Sequence, residues 1–141
     1  MTTALIVTVI SSWYLVGLSV TIALVVYPSF DLVDDESWPE FHLQHMARIT
    51  WAVGPAWAAQ ALGLAWWLLR DPHRVSTTWW LSSLGAAAAV VFTVGWAIRL
   101  HECLHTAYDP QLGRRLRRVH WWRTVCWLVA AVAATTALSS N

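Results

Sequence analysis

Charged positions divide the chain into four apolar segments. Asp, Glu, Lys and Arg are absent from Thr2 to Phe30, Ile49 to Leu69, Val75 to Ile98 and Thr124 to Asn141. A helix needs roughly 20 apolar residues to cross the hydrocarbon core of a bilayer, and the first three stretches meet that length outright. The apolar part of the fourth runs only from Thr124 to Leu138, 15 residues. A spanning helix there must begin earlier, near Arg117 or Arg118, which carries His120 and Arg123 to membrane depth. The pattern predicts an all-α, integral membrane four-helix bundle with antiparallel up-down-up-down connections. Its helices are expected near 4–28, 38–69, 76–107 and 114–138, in a single domain spanning 1–141.

Local signals agree with these boundaries. Tyr27-Pro28 is expected to close the first helix. Ser37-Trp38-Pro39-Glu40 reads as a capping box, with a serine N-cap, Pro in the first turn and Glu at N3. Asp71-Pro72 and Asp109-Pro110 are cap-and-proline signals next to helices 3 and 4. The first segment lacks the basic start of a signal peptide and exceeds the length of its apolar region, so it reads as a retained helix. The alanine run Ala86–Ala89 suits close helix packing in lipid.

Charge then suggests an orientation. The side with the 1–2 and 3–4 loops carries Arg48, Arg99, Arg114, Arg115, Arg117, Arg118 and Arg123, whereas the other carries Arg70 and Arg74. That bias places both termini outside and the two Arg-rich loops in the cytoplasm, with a bacterial inner (plasma) membrane as the expected location. Composition sharpens the class: 57% of residues are apolar, 12% are charged, and the net charge is +1. Such a balance gives no reason to expect a nucleic-acid partner. Two cysteines, Cys103 and Cys126, make no disulfide framework and read as small apolar filler.

Five of the six histidines fall at one membrane face: His42 and His45 opening helix 2, His101 and His105 closing helix 3, and His120 near the start of helix 4. The i, i+3 and i, i+4 pairs each lie on one helical stripe, and His73 alone is left at the opposite face. Facing imidazoles are how helix bundles build metal sites in their cores, and ionisable groups at membrane depth are usually functional. A neutral-imidazole ligand set suits copper, iron or zinc, and of these copper or iron would bring redox chemistry. The competing reading is an interfacial polar cluster without a cofactor.

Glu102 stands between the helix 3 histidines. His101-Glu102-Cys103-Leu104-His105 formally matches the zinc-protease motif H-E-x-x-H, but the chain offers no evident third zinc ligand and no substrate cleft. Glu102-x-x-His105 matches half of a di-iron carboxylate site whose second half is missing. Arg114, Arg115, Arg117 and Arg118 read as a solvated stretch touching anionic headgroups. Arg48 and Arg123, beside the histidines, suit an anionic or phenolate oxygen of a substrate, or pairing with Glu36, Glu40 or Asp31. Trp38, Trp121 and Trp122 on one side, and Trp66, Trp67, Trp79 and Trp80 on the other, read as interface belts. Trp51, Trp57, Trp96 and Trp127 lie deeper.

The segments Tyr27-Pro28-Ser29-Phe30, Phe41-His42-x-x-His45-x-x-Arg48-Ile49-Thr50 and His120-x-x-Arg123-Thr124 resemble the small four-helix membrane proteins of the anthrone-oxygenase-like family. The chain departs from that family in carrying His101 and His105 where an Asn-rich stretch is expected after helix 3. The resemblance implies a cofactor-poor oxygenase or oxidase acting on a lipophilic aromatic molecule.

The combined expectation is a metal-dependent oxidoreductase or oxygenase in the bilayer, acting on a small lipophilic, aromatic substrate. In it His42, His45, His101, His105 and His120 hold copper or iron, and Glu102 is a proton acceptor or outer partner. Arg48 and Arg123 orient the substrate, and Trp51 and Trp127 line its pocket. Alternatives are a haem-binding electron-transfer protein with two axial histidines, and a non-enzymatic membrane partner whose histidines are structural or pH-sensing.

Overall fold

The computed structural model describes residues 2–70 and 76–140; the Asp71-Pro72 signal, His73 and Arg74 lie outside the described residues. The described chain is all-helical. Its four helices, long and apolar enough to cross a membrane, are helix 1 (Thr3–Leu32), helix 2 (Trp38–Arg70), helix 3 (Thr77–Cys103) and helix 4 (Pro110–Ser139). Apolar side chains cover their outer faces, Ile10, Leu24, Trp51, Leu69 and Val91 among them, which is the surface expected of a protein that contacts lipid.

Helix 1 runs past the Tyr27-Pro28 signal. A π turn at Ile22–Val26 resets the hydrogen bonding, and Pro28 falls in the first turn of the short α segment Tyr27–Ser29, where a missing N–H costs least. A 3₁₀ turn, Phe30–Leu32, ends the helix. The turn ahead of helix 2 is held by Asp34, whose Oδ1 accepts from the Ser37 N–H at 2.8 Å. That hydrogen bond holds the Asp34 carboxyl below the ordinary carboxylate range. Pro55 lies inside helix 2 and leaves the Trp51 carbonyl without its helical donor.

Helix 3 begins at a Ser76 cap, whose Oγ accepts from the Trp79 N–H at 3.4 Å, and carries a second π turn at Thr93–Ala97. It ends at Cys103, about a turn short of the expected position near 107. The cause is long-range: the Leu104 carbonyl accepts from the Trp38 indole N–H at 2.6 Å instead of from a further helical turn. Trp38 is therefore fully buried, not a belt residue. Helix 4 starts at Pro110 behind an Asp109 cap that accepts from the Gln111 N–H at 2.6 Å.

The packing differs from one end of the bundle to the other. At one end Ala4 and Leu5 of helix 1 meet Leu64 and Trp67 of helix 2, Trp79 of helix 3 and Ala137 of helix 4. Small residues bring the backbones close: a Cβ at Gly85 would stand 2.8 Å from the Cys126 carbonyl oxygen, and one at Gly63 would stand 2.5 Å from Thr8 Oγ1. At the other end Ile22, Tyr27, Phe30, Trp38, Ala97, Leu104 and Leu116 form an aromatic-rich cluster. Among the described residues, helices 3 and 4 pack closely and helix 2 keeps close backbone contact with helix 1. Helix 2 stands off from helices 3 and 4, and that gap defines the site.

Candidate functional site

The gap holds a cavity of about 360 Å³ lined by all four helices. Ile22 and Tyr27 come from helix 1 and Trp57 from helix 2, while His101 belongs to helix 3, and His120 and Arg123 to helix 4. Both π turns end at this level. A π turn admits one extra residue, which rotates the following side chains by about 100° relative to an uninterrupted α-helix. Tyr27 directly follows one π turn and His101 lies four residues beyond the other, so each owes its inward position to that rotation.

The histidines divide into two sets. In the first, His42 Nε2 and His101 Nδ1 are 3.1 Å apart in a hydrogen bond, and both residues are buried. His42 stacks on Trp38, with centroids 5.1 Å apart and ring planes 25° apart. The His105 ring stands 6.4 Å from that of His42, and the His45 ring 6.0 Å from that of His101. His105 is not on a helical stripe with His101, because the helix ends at Cys103 between them. Tyr27 Oη lies 3.5 Å from His101 Nε2.

His120 forms the second set, held apart by helix 1. The Thr124 hydroxyl donates to the His120 carbonyl at 3.0 Å, so the 2.7 Å contact between Ser19 and Thr124 hydroxyls has Ser19 as donor. Ser19 then offers His120 only acceptors: its carbonyl at 2.8 Å and its Oγ at 3.1 Å from Nε2. His120 Nε2 must carry the hydrogen, and in the neutral ring Nδ1 is a bare lone pair. The ring packs edge-on against Tyr27 at 4.9 Å.

Three polar atoms on residues lining the cavity are buried without a hydrogen-bond partner: Trp57 Nε1, His120 Nδ1 and Arg123 Nε. Unsatisfied buried polar atoms are rare in native proteins and call for a reason. The cavity falls within the range of small-molecule sites, which combine apolar walls with a few placed polar groups.

The other residues singled out in the sequence lie elsewhere. Arg48 is exposed and donates to Gln44 Oε1 at 3.0 Å, and Gln44 in turn donates to Glu40 at 2.6 Å. It lines a separate groove of about 430 Å³ between helices 1 and 2, with His45 and Ile49 shared between groove and cavity. Glu102 is exposed beyond the cavity lining. Trp127 is buried behind the cavity, against Trp57 at 6.2 Å. Trp51 is 81% exposed and lines an outer groove with Tyr14 and Pro55. Among the described residues, no three His, Cys, Asp or Glu side chains are arranged to hold a metal ion.

Sequence reasoning missed Ser19, Thr124 and the inward role of Tyr27. A signal existed for two of them: Thr8, Ser12 and Ser19 recur at i, i+4 and i+11 on one face of helix 1, and Thr124 is four residues from His120. No protein-family model, curated protein or solved structure matches this chain.

Proposed function

We propose that this chain is an integral membrane oxidoreductase, inserted with antiparallel up-down-up-down helices. It takes a small lipophilic, aromatic molecule from the bilayer into the cavity between helix 2 and helices 3 and 4. The carrying observation is that cavity: apolar for most of its wall, edged by His45 and His101, and lined by all four helices. The resemblance to the anthrone-oxygenase-like family points the same way. The Arg-rich face, and with it the site, would be cytoplasmic, in a bacterial inner membrane.

Copper or iron would supply the electron transfer that no side chain here can. The donor set suits part of such a site. Two imidazole nitrogens bound at about 2.0–2.1 Å to one ion lie roughly 2.9–3.4 Å apart at angles between square and tetrahedral, and His42 Nε2 and His101 Nδ1 are 3.1 Å apart. His45 and His105 are the neighbouring rings from which a third ligand would come. His120 is not in this group, since its Nε2 is committed to Ser19. The chain's own contribution is to orient the His42–His101 pair, by Trp38 stacking and the Tyr27 hydroxyl, and to keep water from the substrate.

Elemental analysis of protein purified in detergent from cells supplied with both metals tests the redox half. Stoichiometric copper or iron is expected, lost in His42→Ala and His101→Ala and retained in His105→Ala or His45→Ala, whichever is not the third ligand. Protein without stoichiometric metal would overturn it. A strong Soret band would instead establish haem, although a cavity of this size favours a molecule of one or two rings.

A further inference from the structure

Two outer grooves lie along the face where helices 1 and 2 meet. The one that holds Arg48 has a volume of about 430 Å³, and the one that holds Trp51 and Pro55 about 370 Å³. Ala52 lines both, so they join into one trough. Close backbone contact between these two helices is concentrated in Thr2–Thr21. Past that segment helix 1 draws away, and Val25, Val26 and Ser29 leave room opposite Phe41 and Ile49. Farther along, Ala52, Ala56 and Ala59 recur on one face of helix 2 and keep the trough open beside Val7 and Ile10.

The trough is charged at one end. Arg48 is exposed at its mouth and directly precedes the charge-free stretch Ile49 to Leu69, the depth at which headgroups give way to hydrocarbon. Arg48 donates to the Gln44 amide oxygen at 3.0 Å, and Glu40 is reached only through Gln44. Among the described residues no carboxylate stands in ion-pair range of Arg48. From Arg48 to Ala59 the helix rises about 16 Å, close to half of a hydrocarbon core about 30 Å thick. The trough therefore runs the depth of one leaflet, with a cation at headgroup level and apolar walls below it. We propose that it binds one anionic phospholipid, its phosphate on Arg48 and an acyl chain laid over Ala52 toward Ala59. A guanidinium matches two phosphate oxygens at once. A zwitterionic lipid would bring its own cation toward Arg48, and a soluble anion has no use for the apolar walls. A second copy of the chain, related by a two-fold axis through the trough, would set Arg48 against Arg48. Such a site requires insertion in the bilayer but no metal or substrate in the cavity.

Native mass spectrometry of the full-length protein counts both bound lipids and copies of the chain. The protein is equilibrated in detergent with equal amounts of palmitoyl-oleoyl phosphatidylglycerol and phosphatidylcholine. We expect the monomer to retain one phosphatidylglycerol, favoured over phosphatidylcholine by about fivefold, the factor expected of one basic side chain at the membrane surface. Arg48→Gln is expected to reduce that preference to about twofold or less. Arg115→Gln, which removes an exposed charge from helix 4, should keep it. Ala52→Leu fills the junction of the two grooves and should weaken retention of both lipids several-fold. Preference surviving in Arg48→Gln, or lost equally in Arg115→Gln, would overturn the site in favour of general attraction to the Arg-rich face. Full retention in Ala52→Leu would overturn the acyl-chain placement. A wild type that retains no lipid selectively, or that forms a lipid-free dimer, would overturn the proposal even if the variants do not fold. Each outcome is read whether or not the protein carries metal, so it leaves the redox reading untouched.

Discussion

The two ends of this bundle are built from the same four helices on opposite principles. At the end containing Leu5, Trp67, Trp79 and Ala137, small residues draw the backbones together and most of the described buried polar side chains find partners within the bundle, with Ser83 Oγ the exception. Ser82 Oγ donates to the Ala130 carbonyl at 3.1 Å, and Gln60 donates to Ser12 at 2.8 Å. At the end containing the histidines, π turns interrupt helices 1 and 3, helix 2 reaches helix 3 and the turn after it through the His42 and Trp38 side chains beside an open cavity, and Trp57, His120 and Arg123 each leave a buried polar atom unpaired. One end is closely packed. The other keeps volume and more unpaired polar groups in reserve, as the proposed ligand site would require.

Glycine substitutions break this contrast most sharply. Gly85→Ala adds a Cβ 2.8 Å from the Cys126 carbonyl oxygen and 3.0 Å from the Ala130 backbone nitrogen, atoms that move only if helices 3 and 4 separate. We expect a loss of about 1–3 kcal/mol, typical of overpacking, despite alanine's better helix propensity. At Gly54, on the cavity wall, a Cβ meets nothing within 4 Å. Gly54→Ala should be neutral or stabilising by up to about 1 kcal/mol. Thermal unfolding in one detergent compares the pair, and equal losses at both sites would show that the two ends are packed alike.

Arg123→Met tests the second half of the contrast with a smaller effect of opposite sign. Methionine fills similar volume without a buried unpaired N–H. A gain of about 1 kcal/mol in stability is expected, measured by thermal unfolding in the same detergent. A destabilised variant would mean that Arg123 is satisfied within the protein and the polar reserve is illusory.

The sequence made the four helices legible because spanning segments exclude charge, a signal that needs no tertiary information. It also brought His42 and His101 to one end, since both follow from helix length and connectivity. What escaped was decided across helices. The end of helix 3 depends on the Trp38 indole, 66 residues away, capturing the Leu104 carbonyl. The π turns leave no mark in composition, so the inward turn of Tyr27 was invisible. Depth alone groups His120 with the other histidines, whereas Ser19 on helix 1 commits its Nε2 to a separate task. Depth alone also places Trp51 and Arg48 at the site, but their helical faces direct them outward.

The smallest expected effect lies at the rim of the cavity end, where Tyr108 ties two loops together. Its hydroxyl donates to Asp31 Oδ1, and Arg117 Nη1 reaches Asp31 Oδ2 at 3.4 Å and the tyrosine oxygen at 3.5 Å. Burial, and then the hydrogen bond to Asp31, raise the Tyr108 pKa above its ordinary value. The folded state therefore favours the protonated phenol. Its contribution to stability is complete below the unfolded value of about 10 and is lost as pH rises through the higher folded value, where a phenolate would face the Asp31 carboxylate. Because the group is only partly buried, solvent screens much of this. Wild type should exceed Tyr108→Phe in thermal midpoint by a small margin at neutral pH, and the margin should close above about pH 10. A margin that stays constant across that range would mean the Tyr108 ring, lying over Gly113, holds the rim by packing alone.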